Sequence, residues 1–427
     1  MFLEVLRNWA WLQRTQWMNR DELERIRAER LRETALYAYQ KVQFYNELYG
    51  AANVSINSIR QANDISKLPT ITRTDLQKTS LQDRTAVDVD VDSCVVNRTS
   101  GTTGLSITML EDPYSAAYRE ALMLRFLWAY GVRPGDRIVK GRYSRGAKYL
   151  AEGPGLWGLI RRKIVKQRFF IDFNDQHEFF SRHKPDVLIA GVHYCRALAR
   201  HCESVGKSLG FRIVVTFGEI VDDPTRKLIA DSFGAKVFDS YGIEEVGGSI
   251  AWECPTHSGY HINAESLVVE FLRNGESVVA GETGDVYVTC FHRRATPIIR
   301  YFTGDRARYV DDDCPCGRGL PLMREIQGRI MDFILTSDGQ HVSPNLVLRT
   351  LRDTLGVEQF KVTQNEDLSI EVRIKTGTKE IETILRNVEQ RCKGLFGETP
   401  LNVRPVDEMD SSGPKYRVVE SRASTIS

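Results

Sequence analysis

The chain has 427 residues. That is too long for one ordinary hydrophobic core, so two or more domains are expected. Hydrophobic residues at 42% and charged residues at 27% exclude a disordered or fibrous chain, and the lack of any 18-residue apolar run excludes a membrane-spanning helix. The charge is nearly balanced, 58 Lys+Arg against 56 Asp+Glu, which argues against general nucleic-acid binding. The eight cysteines are irregularly spaced and make no disulfide scaffold, and the first residues, MFLEVLRNWAWLQR, lack the basic leader and small-residue cleavage site of a signal peptide. Both features lead us to expect a reducing, cytoplasmic setting.

Residues 1–50 read as a helical segment. Phe2, Leu6, Trp9 and Leu12 begin one apolar face, and Leu23, Ile26 and Leu31 continue it among charges. The Trp-rich start fits either a membrane surface or, the reading we prefer with so few basic residues beside it, the protein's own body. Residues 50–95 are loop-rich, with KLPTITRTDLQ reading as a strand end followed by a helix cap. From 95 to about 330, strand-like runs (VVNRTS, DVLIAG, FRIVVTFGE, AKVFDSYG, GDVYVTCF) alternate with helix-like runs that end at Gly (AAYREALMLRFLWAYG, PTRKLIADSFG). This alternation predicts an α/β fold, a large layered N-terminal domain over 1–329. After it the pattern restarts as a small α+β domain over 333–427, with a hinge near 330–332.

One tract stands out by charge. Between Arg137 and Arg168 there are ten Lys/Arg and one acid, Glu152. It reads either as a solvated face or as a site for an anionic small molecule or protein. Two phosphate-loop look-alikes fail. Gly206-Lys207-Ser208 lacks the first Gly of a P-loop, where His201 stands. Gly153, Gly155 and Gly158 match G-x-G-x-x-G, but Pro154 interrupts them and no strand precedes them.

Five segments carry chemistry. Thr99-Ser100-Gly101-Thr102-Thr103-Gly104 offers hydroxyls and backbone amides that can wrap phosphate oxygens, or it is a polar turn. Tyr241-Gly242-Ile243-Glu244-Glu245 puts an aromatic ring and a carboxylate at a strand end, where the ring can stack and the acid can hold Mg²⁺, or they are simply solvated. Tyr301-Phe302-Thr303-Gly304-Asp305 reads as an Asp in a tight Gly turn, able to accept two ribose hydroxyls. Gly328-Arg329-Ile330-Met331-Asp332 lies at the domain boundary, and Ser412-Gly413-Pro414-Lys415-Tyr416-Arg417 presents a Lys on a Gly/Pro turn. Each of the last three, taken alone, reads first as a plain surface turn.

In this order the five segments resemble the adenylate-forming superfamily of acyl-CoA synthetases and adenylation domains. The supporting segments KLPTITRTDLQ, TFGEIV, SYGIEEVGG and CPCGRGLP make the chain similar to the phenylacetate–CoA ligase and capsular-polysaccharide-biosynthesis branch. The resemblance spans roughly residues 30–420. It departs from the usual pattern at Leu105-Ser106-Ile107, which has neither Pro nor Lys, at Leu335 in place of a Lys, and at Gly-Pro-Lys where Gly-Lys is usual. The resemblance implies a two-step reaction in which a carboxylic acid attacks the α-phosphate of ATP and a thiol, CoA or a carrier protein in trans, then displaces AMP. It implies that Thr99 to Gly104 hold the phosphates, Thr99 and Lys415 act in catalysis, and Glu245 holds Mg²⁺. Gly218, Glu219, Tyr241 and Gly242 would line the nucleotide, Asp305 and Arg329 would bind ribose, and Asp332 would be the hinge. Amine or hydroxyl acceptors, transfer of AMP itself, and a zinc-stabilised nucleotide-binding protein without turnover are the alternatives. The intact Glu245, Asp305, Arg329 and Lys415 argue against the last.

Cys254-x6-His261 and Cys314-x-Cys316 supply three thiols and one imidazole. This is either a closed structural Zn²⁺ site, with His257 competing with His261, or a set of buried thiols. Cys and His often stand here in the matching branch, which favours the metal. Cys94, Cys195, Cys202, Cys290 and Cys392 read as core. His177, His183, His193, His201, His292 and His341 read as structural or surface.

Overall fold

The computed structural model describes residues 1–98, 107–141, 173–218, 221–327, 334–342, 346–347, 350–351, 354, 356–377, 381–409 and 419–423. The chain divides into two compact units, one of Met1–Asn97 with Thr108–Arg329 and one of Arg98–Ile107 with Ile330–Ser427.

The first unit begins with helices α1 (Phe2–Thr15), α2 (Arg20–Lys41) and α3 (Gln43–Ala51). A capping box, Asn19 with Glu22, starts α2. The Trp-rich helix α1 docks on the protein itself. Val5 and Leu12 join one buried core with helix α5 (Pro113–Ala129), and Trp9 meets Trp128 edge-on at 5.5 Å. The KLPTITRTDLQ segment forms what its residues predict. Ile71 pairs with Tyr301 in a parallel bridge, and Thr72 and Asp75 make a capping box for the short helix α4 (Arg73–Lys78).

Strands β1 (Val95–Arg98) and β2 (Thr108–Glu111) pair with each other and flank the segment 99–104 in sequence. Then come β3 (Ile138–Gly141), α6 (Phe173–His183), β4 (Val187–Gly191), α7 (Val192–Val205), β5 (Ile213–Phe217), α8 (Asp223–Phe233) and β6 (Lys236–Ile243). Strands β3 to β6 are parallel neighbours. Their apolar runs are buried, as expected of strands with helices packed against them. Gly206 and Gly234 both close helices in the left-handed conformation, so the Gly-Lys-Ser look-alike is a helix cap.

Beyond Ile243 the alternation stops. Strands β7 (Gly248–Glu253), β8 (Tyr260–Ile262), β9 (Leu267–Arg273), β10 (Glu276–Ser277), β11 (Thr283–Cys290), β12 (Ile298–Val310) and β13 (Leu322–Gln327) add antiparallel with no helix between them. The result is one 11-stranded mixed sheet in the order β10-β9-β11-β12-β13-β8-β7-β6-β5-β4-β3. Short hairpin connections suffice for antiparallel pairs, whereas each parallel pair requires a crossover.

The second unit contains the hairpin β14 (Ile334–Leu335) and β15 (His341–Val342). It also has a four-stranded sheet of β16 (Gln359–Gln364), β17 (Ile370–Lys375), β18 (Leu401–Pro405) and β19 (Val419–Ser421), in the order β18-β17-β16-β19. The amphipathic helix α9 (Ile381–Phe396) buries Ile384, Val388, Cys392 and Phe396. No described helix is long and apolar enough to cross a membrane, and no cysteine is in a disulfide.

A buried acid supports β6, the strand that carries Tyr241. Burial pushes the Asp239 carboxyl up to about 6, against the hydroxyls of Thr216 and Tyr260, which donate to it at 2.5 and 3.0 Å. Folded protein therefore keeps a proton that the unfolded chain has released. Stability is expected to fall by a few kcal/mol in order of magnitude as pH rises from about 4 to about 6. Asp239→Asn should remove that fall, since an amide stays neutral at every pH. Urea melts of both proteins across pH 4–7 would measure it, and an unchanged slope in the variant would reject it.

Candidate active site and metal centre

Tyr241 and Glu245 stand where the parallel part of the sheet meets the antiparallel part. Tyr241 and Gly242 lie near the C-terminal end of β6, and the chain doubles back through Glu245 into β7. Gly242 is dictated by packing. A Cβ there would lie 2.2 Å from the Gly248 carbonyl oxygen of the returning strand, a contact no other residue can make. The turn separates its two acids. Glu244 is exposed and Glu245 is only 4% exposed, so the reading of both as solvated acids does not hold for Glu245.

Asp305 is not in a tight turn. The segment Tyr301-Phe302-Thr303-Gly304-Asp305 runs inside the 13-residue strand β12, with a register shift against β11 at this place. Gly304 takes φ +83° to permit the irregularity. Buried Thr303 donates to the Val286 carbonyl at 2.9 Å and accepts the Asp305 amide at 3.1 Å. Thr303 thus shapes the backbone, and Asp305, 7% exposed, is not a surface residue.

The two motifs hold each other reciprocally. The Tyr241 hydroxyl donates to Asp305 Oδ2 at 2.8 Å, and the Tyr301 hydroxyl donates to Glu245 Oε1 at 3.1 Å. Each segment's tyrosine thus fixes the other segment's acid. A third segment joins them, for Arg73 Nη1 reaches Glu245 Oε1 at 2.8 Å. Sequence reasoning gave neither Arg73 nor Tyr301 a role. Their only signal was an Arg inside KLPTITRTDLQ and a Tyr four residues before Asp305. Gly218 lies just past β5 with φ +84°, beside this corner of the sheet. Thr99 to Gly104, Glu219, Arg329, Asp332, Lys415 and most of the basic tract lie outside the described residues.

The three thiols and one imidazole do converge. Ligand atoms of Cys254, His261, Cys314 and Cys316 all lie within 4.8 Å of one another. Cys254 follows β7, His261 sits in β8, and Cys314 and Cys316 occupy the connection from β12 to β13. The sulfurs of Cys254 and Cys314 are 3.4 Å apart, and Cys316 Sγ lies 3.2 Å from His261 Nε2. His261 Nδ1 faces the Leu320 carbonyl at 3.4 Å. Donating its proton there leaves Nε2 for a metal. Burial pushes the Cys316 thiol up, but hydrogen bonds with His261, Arg318 and Cys314 together outweigh it and bring the thiol down to about 5. Soft thiolates with one imidazole, nearly enclosed, suit a four-coordinate Zn²⁺. His257 is not a ligand; it turns away with φ +57° and bonds Glu253 at 2.9 Å. Among the remaining cysteines, Cys195, Cys202, Cys290 and Cys392 are buried as core, whereas Cys94 is only partly buried. His292 is structural, fully desolvated and stacked on Tyr118 at 4.8 Å.

The cysteine connection also clasps the N-terminal helices. The Gly319 amide donates to the Gln16 carbonyl at 3.0 Å, and Arg318 bonds the Gln16 side chain at 2.8 Å while lying over Trp17 at 4.6 Å. A Cβ on Gly319 would come within 1.7 Å of the Met18 carbonyl oxygen.

No family model matches the chain. It is 26% identical to the phenylacetate–CoA ligase of Thermus thermophilus over 77% of this chain and 75% of that one. With the phenylacetate–CoA ligase of Escherichia coli it shares 27% identity, over 87% and 86%. With protein CapK of Staphylococcus aureus it shares 21%, over 88% and 84%. The fold matches a crystal structure of 2-hydroxyisobutyryl-CoA ligase, in complex with 2-HIB-AMP and CoA in the thioesterification state. The TM-score is 0.69 at 20% identity, over 96% of this chain and 91% of that one.

Two outcomes are expected of these sites. Gly319→Ala should destabilise the protein by about 1–3 kcal/mol, the scale of overpacking, with new protease cleavage near residues 15–20; thermal melts and mapped digestion would measure both. Elemental analysis should find one zinc per chain, and Cys316→Ser should lower both zinc content and melting temperature. Metal-free purified protein with unchanged stability on chelation would reject the zinc reading.

Proposed function

We propose that this chain, a homologue of the phenylacetate–CoA ligases and of CapK, is an ATP-dependent acid–CoA ligase that works through an acyl-adenylate. The observation that carries the reading is the reciprocal pairing of Tyr241 with Asp305 and Tyr301 with Glu245 at the end of the parallel strands, the usual place for a ligand in an open α/β sheet. In the first step a carboxylate oxygen of the acid attacks the α-phosphorus and pyrophosphate leaves. In the second the CoA sulfur attacks the acyl carbonyl and AMP leaves.

The residues have distinct parts in this reading. Asp305, oriented by Tyr241, accepts ribose hydroxyls together with Arg329. Gly218, Glu219 and Tyr241 flank the adenine, and Thr99 to Gly104 hold the phosphates. Glu245 would hold Mg²⁺: among the described residues, the two hydrogen bonds it accepts land on Oε1, which leaves Oε2 to a cation. Bound Mg²⁺ neutralises charge that develops on the phosphates. Lys415 serves the same end at the α-phosphate. The small unit beyond residue 332 is proposed to pivot about Asp332, because Lys415 is needed while pyrophosphate leaves and not while the thiol displaces AMP. The Cys254–His261–Cys314–Cys316 cluster would hold a structural zinc.

Pyrophosphate release over a panel of carboxylic acids, with CoA present and absent, tests the reading. Release with at least one acid and CoA-dependent thioester formation are expected; ATP binding without release from any acid would reject it. Glu245→Gln should lower release strongly. Lys415→Ala should slow adenylate formation by about 10²-fold or more, yet use synthetic acyl-adenylate at a near-normal rate. Equal loss in both half-reactions would reject the pivot.

A further inference from the structure

Glu245 is already engaged by a cation from the protein itself. Arg73 Nη1 lies 2.8 Å from Glu245 Oε1, with the two side chains only 13% and 5% exposed. At that depth a carboxylate and a guanidinium form a strong, little-screened pair. Arg73 is also held from behind. The Ile71 amide donates to the Arg300 carbonyl at 3.0 Å, and the Phe302 amide donates to the Ile71 carbonyl at 2.8 Å. Thr72 and Asp75 close the capping box on the other side of it. The strap that carries Arg73 is therefore laced along the same strand that supplies Tyr301 to Glu245.

We infer that Arg73 is a positioning residue that keeps Glu245 from loading a bare divalent cation and makes metal capture depend on the nucleotide. The inference rests on the assignment of Glu245 as the Mg²⁺ ligand. A bare cation arriving at Oε2 meets a carboxylate whose charge Arg73 already balances, and it is repelled by the guanidinium beside it. A cation that arrives with triphosphate brings compensating negative charge, so the repulsion from Arg73 is offset. Arg73 and Tyr301 meanwhile hold Oε1, so the carboxylate presents a fixed Oε2. The pair thus sets an order of binding, metal with nucleotide rather than metal first.

Binding of Mn²⁺ to the full chain, followed by the electron paramagnetic resonance of the free ion, tests this without turnover. The wild-type protein should bind Mn²⁺ weakly alone and much more tightly with ATP present. Arg73→Gln should bind Mn²⁺ alone about tenfold more tightly, the scale of losing one charge-assisted hydrogen bond, and so narrow the gap between the two conditions. Adding Glu245→Gln to Arg73→Gln should abolish the gain. Arg73→Met retains the apolar stem and serves as the second variant should Arg73→Gln melt early. If the Arg73 variants leave bare Mn²⁺ binding unchanged or weaker while Glu245→Gln still weakens binding with ATP, the inference falls and the metal assignment stands. If Glu245→Gln changes Mn²⁺ binding under neither condition, the metal assignment falls and the inference with it.

Discussion

The two tyrosine–carboxylate bonds, Tyr241 to Asp305 and Tyr301 to Glu245, are the constraint around which the site is organised. They tie the end of β6 to the middle of β12, strands separated in the sheet by β7, β8 and β13. A hydroxyl-to-carboxylate bond in a nearly dry environment is stronger than its counterpart in water, and a missing partner there is costly. Each acid is therefore aimed before any ligand arrives. Gly242, Gly304 and Thr303 exist to let the two strands present these groups. The close approach at Gly242 and the irregularity at Gly304 bend the backbone, and Thr303 holds the bend.

The rest of the first unit reads as a support for this corner. Arg300, beside Tyr301, is buried against Glu270 in an ion pair at 2.7 Å and also bonds the Ser66 and Leu68 carbonyls of the segment before the strap. Fully buried Arg125 pairs with Glu265, which in turn accepts the Thr15 hydroxyl of α1. Removing one member of such a pair strands a charge away from water, which costs more than the pair gains. These links bind the N-terminal helices and the segment before Ile71 to the sheet. The cysteine cluster does the same, for the connection carrying Cys314 and Cys316 grips Gln16 and Trp17.

Much of this was legible in order and kind. The helices over 1–50, the capping box at Thr72 and Asp75, the parallel strands through β6, and the four metal-type ligands follow from periodicity, caps and spacing, all of which act over a few residues. The reading failed where the deciding neighbour is distant in sequence. Gly304-Asp305 looks like a turn, because Gly followed by Asp is turn chemistry wherever nothing overrides it. Here the pairing of β12 with β11 overrides it and turns the Gly into a strand irregularity. The choice of His261 over its competitor His257 is the one the structure makes too, through the pairing of β8 with β13 that brings His261 to the thiols.

The sequence alone determined the α/β class, the chain order of the five motifs, and the residue types available for phosphate, ribose and metal. These are properties of composition and local pattern, and they survive whatever the distant parts of the chain do. Only the tertiary structure decided that Glu245 and not Glu244 faces inward, that Tyr301 and Arg73 are its partners, and that Asp305 answers to Tyr241. Arg73 and Glu245 are 172 residues apart. No local rule relates residues that far apart. The sheet does, because it fixes which strand lies beside which, and the side chains that then share a dry corner must satisfy one another.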